Sequence, residues 1–353
     1  MKNIKIGNKI IGEGHPCFVL MDAGVNHNND LKRAKDLIRM AKESGADMIK
    51  FQTYTAEKMA TKTAPRYWNP KLDTDGGGTQ YDTFKRIDKL PQEAYIEMID
   101  YCRELNIIFC STPFDPEGAL FLNELGVGVF KVASADLTYP QLLKTVGRTG
   151  KPVILSTGLA SLREIREAIQ TIHNCNNDQI VLQHCILSYP CNFEDANLRK
   201  MQKIQETFPE IPVGYSDHTY GIVAPLAAVA LGARSIEKHY TVDKSLPDSP
   251  DHSFSLDPKE LKEMMVAIRN VEKSLGTFVD GPCPAETKAF QFARKSLVAA
   301  QRIVKGTVVT LDMLTCKRPG TGIYPREMES IVGLKAKQDI PEDTTLTWEM
   351  FDR

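Results

Sequence analysis

Two histidines carry the most specific chemical signal in the chain. His218, in GYSDHTYG, and His239, in IEKHYTVDK, close two consecutive short apolar runs at equivalent points. Neutral imidazole is a common ligand for divalent first-row metals. A pair on adjacent strand ends would leave positions open for water and substrate, as a Lewis-acid centre requires. His27, His173 and His252 have no comparable spacing. A second set of residues has anion-binding character. Asp22, Lys50 with Gln52, Ser111 with Thr112, Lys131 with Ser134, Ser156 with Thr157, His184 with Tyr189, Ser216, and Glu237 all fall at the ends of similar runs. Lysines and hydroxyls sharing one mouth are costly to bury without an anion to meet them, and they suit a phosphate or a carboxylate. A lysine in such a place can also act as a Schiff-base nucleophile, and Lys50 or Lys131 would be that residue. No phosphate-loop or dinucleotide-type glycine motif follows a strand, so nucleotide binding has no support.

These residues need a frame that gathers strand ends. The apolar runs 16–24, 46–52, 106–112, 128–134, 152–158, 179–185, 211–216 and 234–239 read as eight strands, apolar enough to be buried on both faces in a parallel sheet. Amphipathic stretches fill the gaps. Leu31, Ala34, Leu37, Ile38 and Ala41 recur at helical spacing before Gly45, Ser161 with Glu164 forms a capping box, and Asp257-Pro258 with Glu260 opens a helix closed by Gly276. Eight βα units over residues 1–276 predict a (β/α)8 TIM barrel, whose active site lies at the C-terminal strand ends. Segment 53–90, with Gly76-Gly77-Gly78, is longer than a routine βα loop and reads as an active-site flap or a mobile segment.

The end of the chain differs. At an offset of 37 residues, Ala299/Ala336, Gln301/Gln338, Ile303/Ile340, Thr307/Thr344, Thr310/Thr347 and Met313/Met350 coincide. This is an internal duplication, with KRPGTGIYP between the copies. It predicts a linker over 277–295 and a small mainly-β domain over 296–353.

Composition excludes several classes. Among 353 residues, 42% hydrophobic and 25% charged is ordinary for a globular chain, and 44 basic against 45 acidic side chains give a net charge of −1. No global field draws it to nucleic acid or to a membrane surface. No apolar run reaches the length of a membrane span, and the start lacks the apolar core of a secretory signal. The eight cysteines are scattered with no C-x-x-C pair, which fits buried thiols in a reducing cytoplasm.

Taken in order, NHNND, KFQTY, STPFD, KVASADL, ILSTG, GYSDHT, IEKHYT and KRPGTGI resemble the sialic acid synthase family, including its C-terminal antifreeze-like (SAF) module. Members condense phosphoenolpyruvate (PEP) with an N-acetylated hexose to make nonulosonic acids. The resemblance implies that His218 and His239 bind a divalent cation, manganese first, with magnesium or cobalt as alternatives. It implies that Lys50, Thr112, Lys131, Ser134, Ser156 and Ser216 hold the phosphate and carboxylate of PEP. Gln52, Phe114, Tyr189, Asp136 and Asp251 would face the sugar, and Asp22 and Glu237 would handle the attacking water and its proton. Arg318 would reach the barrel of a partner subunit in a domain-swapped homodimer. Asp22 and Asp136 stand where the family often has glutamate, Leu187 where sialic acid synthases have a polar residue, and Ser249 where glycine is usual. The acceptor is then N-acetylmannosamine or a diacetamido sugar of the legionaminic or pseudaminic type. The competing readings are a Schiff-base aldolase and an inactive carbohydrate-binding homologue.

Overall fold

Eight apolar runs become eight parallel strands, as their two-sided hydrophobicity requires. They are β3 (Phe18–Gly24), β4 (Met48–Thr53), β5 (Ile108–Pro113), β6 (Phe130–Val132), β7 (Val153–Ser156), β8 (Ile180–Cys185), β9 (Val213–Asp217) and β10 (Ser235–His239). In the sheet they follow the order β5-β4-β3-β10-β9-β8-β7-β6, a nearly closed barrel whose two edges, β5 and β6, lie side by side. The computed structural model describes residues 1–68, 77–87, 90–247 and 249–352. The chain divides into two units, Met1–Gly276 and Thr277–Arg353. In the described residues, no helix is long and apolar enough to cross a membrane.

Helices follow each strand of the first unit for the local reasons visible in its residues. Leu31–Glu43 starts at Asp30, whose carboxylate accepts from the amides of Lys32 and Arg33, and it buries Ala34, Leu37, Ile38 and Ala41. The capping boxes at Ser161/Glu164 and Asp257/Glu260 are both formed, opening Leu162–His173 and Pro258–Leu275. Their apolar faces join the outward faces of the strands in one continuous core.

Alternation along each strand separates that outer core from the barrel interior. Phe18, Leu20, Met48, Cys110, Val129, Ile154 and Val181 point inward and form an apolar floor. The floor is completed by an N-terminal hairpin, β1 (Ile4–Ile6) and β2 (Lys9–Ile11), which buries Ile4, Ile6 and Ile11 beneath it. This hairpin is not among the eight runs that the sequence marks as strands. Its signal is the two-residue Gly7-Asn8 turn between isoleucine-rich runs, with Gly7 at φ 58°.

The second unit is built from the duplicated segments. Strands β11 (Ser296–Ala299) and β12 (Leu314–Lys317) form one hairpin-like pair, β13 (Lys335–Ala336) and β14 (Phe351–Asp352) the other. Ile303 and its counterpart Ile340 pair with each other, each donating its amide to the other's carbonyl at 2.8 Å. Likewise Val298 pairs with Thr345 while Val308 pairs with Lys335, the same bridge with the copies exchanged. The two copies are therefore related by a pseudo-twofold axis through the Ile303–Ile340 pair. Residues 277–295 belong to this unit and carry two short helices, Pro284–Glu286 and Thr287–Phe292.

Candidate active site

Above the apolar floor the interior of the barrel turns polar. The same alternation that puts Leu20 and Met48 in the floor puts Asp22 and Lys50 one step higher on the same face. In the parallel register Asp22 lies opposite His239 of β10 on one side and Lys50 of β4 on the other. One cavity at the C-terminal strand ends is lined by Asp22, Lys50, Gln52, Thr112, Phe114, Lys131, Ser134, Asp136, Ser156, Tyr189, Ser216, His218, Glu237, His239 and Asp251. Of the residues to which the family resemblance gives a catalytic, substrate or metal role, all but Arg318 are therefore at this cavity. That residue belongs to the other unit, exposed just after β12.

Three of the strand-end residues face the other way. Ser111 hydrogen-bonds Thr53 Oγ1 at 2.7 Å, Thr157 donates to the Gln183 carbonyl at 3.1 Å, and His184 donates to the Ala196 carbonyl at 2.9 Å while stacking on Tyr215. Each sits one residue out of phase with an inward neighbour, Thr112, Ser156 or Cys185. Gly158 is excluded from carrying a side chain by the same crowding: a Cβ there would lie 2.7 Å from Ser134 Oγ, which accepts the Gly158 amide.

The centre is a buried charge cluster. Lys50 Nζ is 2.7 Å from Asp22 Oδ2 and 3.6 Å from Glu237 Oε1. Lys131 Nζ donates to Ser156 Oγ at 2.7 Å and lies 3.3 Å from Glu237 Oε2. All four charged groups are about 4–5% exposed, so little water screens them. Burial alone would raise the Asp22 pKa, but Lys50 and then His239 outweigh it and hold that carboxyl below its usual range. Burial would lower Lys50, and Asp22 and Glu237 outweigh it, keeping the ammonium charged. A Schiff-base lysine needs the opposite shift.

The imidazole pair stands at the edge of this cluster, ring centroids 5.3 Å apart. His218 Nδ1 donates to the Ile186 carbonyl at 2.7 Å, which leaves Nε2 as the nitrogen with a free lone pair. His239 lies between two carboxylates, with Nε2 3.3 Å from Asp22 Oδ2 and Nδ1 3.4 Å from Asp251 Oδ2. Burial opposes protonation of His239, and Asp22 and Asp251 more than compensate. Among the described residues no group of three or more His, Cys, Asp or Glu side chains is arranged to hold a metal ion. An imidazole oriented through its Nδ1 and a second one beside two carboxylates fit a divalent cation held in an open site.

One wall was not anticipated. Tyr54, Met59, Tyr67, Trp68, Phe84 and Ile87 line the cavity from the 53–90 segment. They continue through a Tyr67–Tyr189 edge contact to Tyr189, whose ring centroid is 4.1 Å from that of His218. The segment thus contributes an aromatic wall. Gly76 and the other residues of 69–76 and 88–89 lie outside the described set. The signal available in the sequence was the density of aromatics between 54 and 84.

Asp136 differs from the other carboxylates. Among the described residues it has no cationic partner and its buried Oδ2 no hydrogen bond, and burial pushes its pKa up to about 7. A carboxyl raised from about 4 in the unfolded chain contributes stability that is complete at low pH and lost as pH rises through the folded value. The stability advantage of the protein over its Asp136→Asn variant should therefore shrink between about pH 4 and about pH 7. Urea unfolding across that range measures it, and a pH-independent difference would mean an ordinary solvated carboxylate.

Comparisons with known proteins agree with one another. Residues 37–280 match the NeuB family model, and residues 294–352 match that of the SAF domain. The chain is 40% identical over 350 residues to the N,N'-diacetyllegionaminic acid synthase of Legionella pneumophila, covering 98% of each. It is 39% identical over 345 residues to the N-acetylneuraminate-9-phosphate synthase of Homo sapiens, covering 97% of this chain and 94% of that protein. The solved spore coat polysaccharide biosynthesis protein spsE of Bacillus subtilis superposes with a TM-score of 0.68 at 35% identity, over 100% of this chain and 99% of that one.

Proposed function

The chain belongs to the NeuB family, and from that premise we propose a nonulosonic acid synthase whose cavity takes PEP beside an open-chain N-acetylated hexose. It is an enzyme of PEP condensation with a sugar. Carbon 3 of PEP attacks the aldehyde carbon, forming the C–C bond and turning the carbonyl oxygen into a hydroxyl. Water then adds to the cationic carbon 2 and gives up a proton, and phosphate leaves with cleavage of its C–O bond.

The reading rests on one observation: two buried ammonium groups, Lys50 and Lys131, stand among hydroxyls at the bottom of an open cavity whose rim carries two imidazoles. Lys131, Ser156, Ser134 and Ser216 suit the anionic ends of PEP, with Lys50 paired to Asp22 in the same cavity. Glu237, within 3.3–3.6 Å of both lysines, and Asp22 are the carboxylates available to take the proton from water. Fixed groups of this kind stabilise a charged intermediate without reorganising.

Charge balance favours a bound cation. The two lysines are matched by Asp22 and Glu237, whereas PEP carries about −3 near pH 7. An anion of that charge entering a water-poor cavity needs compensation. A divalent cation at His218 and His239, manganese in the first instance, would supply it and polarise the aldehyde oxygen as a Lewis acid.

The aromatic wall and Leu187 make the sugar side apolar, and among the described residues the cavity has no cation besides Lys50, Lys131 and the imidazoles. That favours an unphosphorylated sugar with a second acetamido group over N-acetylmannosamine or its phosphate. Arg318, exposed and with no ion-pair partner among the described residues, is suited to reach a second subunit, which supports the domain-swapped homodimer. The eight free thiols fit the cytoplasm.

Phosphate release from PEP, assayed with a panel of N-acetylated sugars after chelation and again with added manganese, tests the reading. Cation-dependent release with one sugar is expected. Borohydride trapping of a lysine adduct, with no cation requirement, would replace this reading with the Schiff-base aldolase.

A further inference from the structure

The strand ends that carry the two histidines are tied together from behind. Asp217 and Lys238 are in register on β9 and β10, each one residue before a histidine. Alternation therefore turns them away from the cavity, into the layer between sheet and helices. There Lys238 Nζ is 2.6 Å from Asp217 Oδ2, with both side chains 0% exposed, and it also donates to the Thr219 carbonyl. Asp217 is saturated: Oδ1 accepts from Tyr215 Oη at 2.8 Å and from the Thr219 amide at 3.0 Å, and Oδ2 also accepts from Thr219 Oγ1 at 3.0 Å. One ammonium, on the residue preceding His239, thus grips the residues on both sides of His218.

Such a pair is a poor way to gain stability, because desolvating two charges offsets most of their attraction and an apolar pair of the same volume does as well. What it supplies is geometry. We infer that Lys238, Asp217 and Thr219 are positioning residues that fix the spacing and orientation of His218 and His239, and so set the affinity of the site for a divalent cation. The inference rests on the reading of the two imidazoles as cation ligands. Groups behind metal ligands commonly contribute about 10- to 100-fold in metal affinity.

The test is manganese binding followed by electron paramagnetic resonance, with thermal unfolding alongside. Unmodified protein is titrated first; if it binds no manganese, the ligand reading fails and this inference with it. Given binding, the Asp217→Asn/Lys238→Met double variant removes both charges with little change in volume. It should stay folded with manganese affinity lowered about 10- to 100-fold. Thr219→Val, which removes only one hydroxyl, is the variant to use if the double one does not fold, and it should weaken manganese a few-fold. A merely structural role predicts a lower melting temperature with unchanged affinity in the folded variant. A folded double variant, or failing that Thr219→Val, that binds manganese as tightly as the unmodified protein overturns the inference and leaves the synthase reading standing.

Discussion

Lys131→Met should lower phosphate release from PEP by about 100- to 1000-fold, the scale expected when one fixed electrostatic group is removed from a site. Lys131 is 3% exposed, and its ammonium holds Ser156 and faces Glu237. Replacing it removes a positive charge where the PEP anion would sit and leaves Glu237 with Lys50 alone, at 3.6 Å. Both effects act in the same direction, since an unbalanced carboxylate repels the incoming phosphate. Stability should also fall, because breaking a buried pair by removing one partner is costly. The Lys131→Met/Glu237→Gln double variant separates the two: it should recover stability without recovering turnover. Steady-state phosphate release, PEP affinity and urea unfolding on the three proteins decide the matter. A single variant with turnover within tenfold of the unmodified enzyme would remove Lys131 from the anion site.

How much of this was legible in the sequence follows from the periodicity of strands. The eight runs were readable because a strand buried on both faces is apolar throughout, and their ends mark the mouth of a barrel. Phase was less readable. In an all-apolar run nothing marks which residues face inward, so Ser111, Thr157 and His184 were grouped with the cavity although they sit behind it. The same ambiguity hid Asp217 and Lys238, which the sequence shows beside the histidines and the fold turns away from them. The hairpin at Ile4–Ile11 was missed because strands of three residues fall below the window in which alternation can be counted. The duplication in the small unit is visible in the sequence as a repeat, and only the pairing of Ile303 with Ile340 shows that the copies meet about a twofold axis. The aromatic wall lay in a segment whose length gave its functional character but whose side chains needed the fold to converge.

His218→Ala and His239→Ala should each cost nearly all turnover at ordinary manganese, leaving a small residual activity, and the useful question is what restores it. If the imidazoles hold a cation, the loss is one of affinity, and raising manganese well above its ordinary saturating level should recover part of the activity of His218→Ala. If they move protons instead, added imidazole should rescue and added manganese should not. His239→Ala is expected to be the more severe of the two. It removes a ring placed 3.3 Å from Asp22 and 3.4 Å from Asp251, so those carboxylates lose the group that separates them. Asp22, held low in part by His239, should then take up protons more readily. The residual activity of His239→Ala should accordingly fall off at a higher pH on the acid side than that of His218→Ala. Phosphate release measured against manganese, imidazole and pH in both variants gives all three comparisons. Near-normal activity in both variants at ordinary manganese would remove the cation from this site and with it the Lewis-acid step.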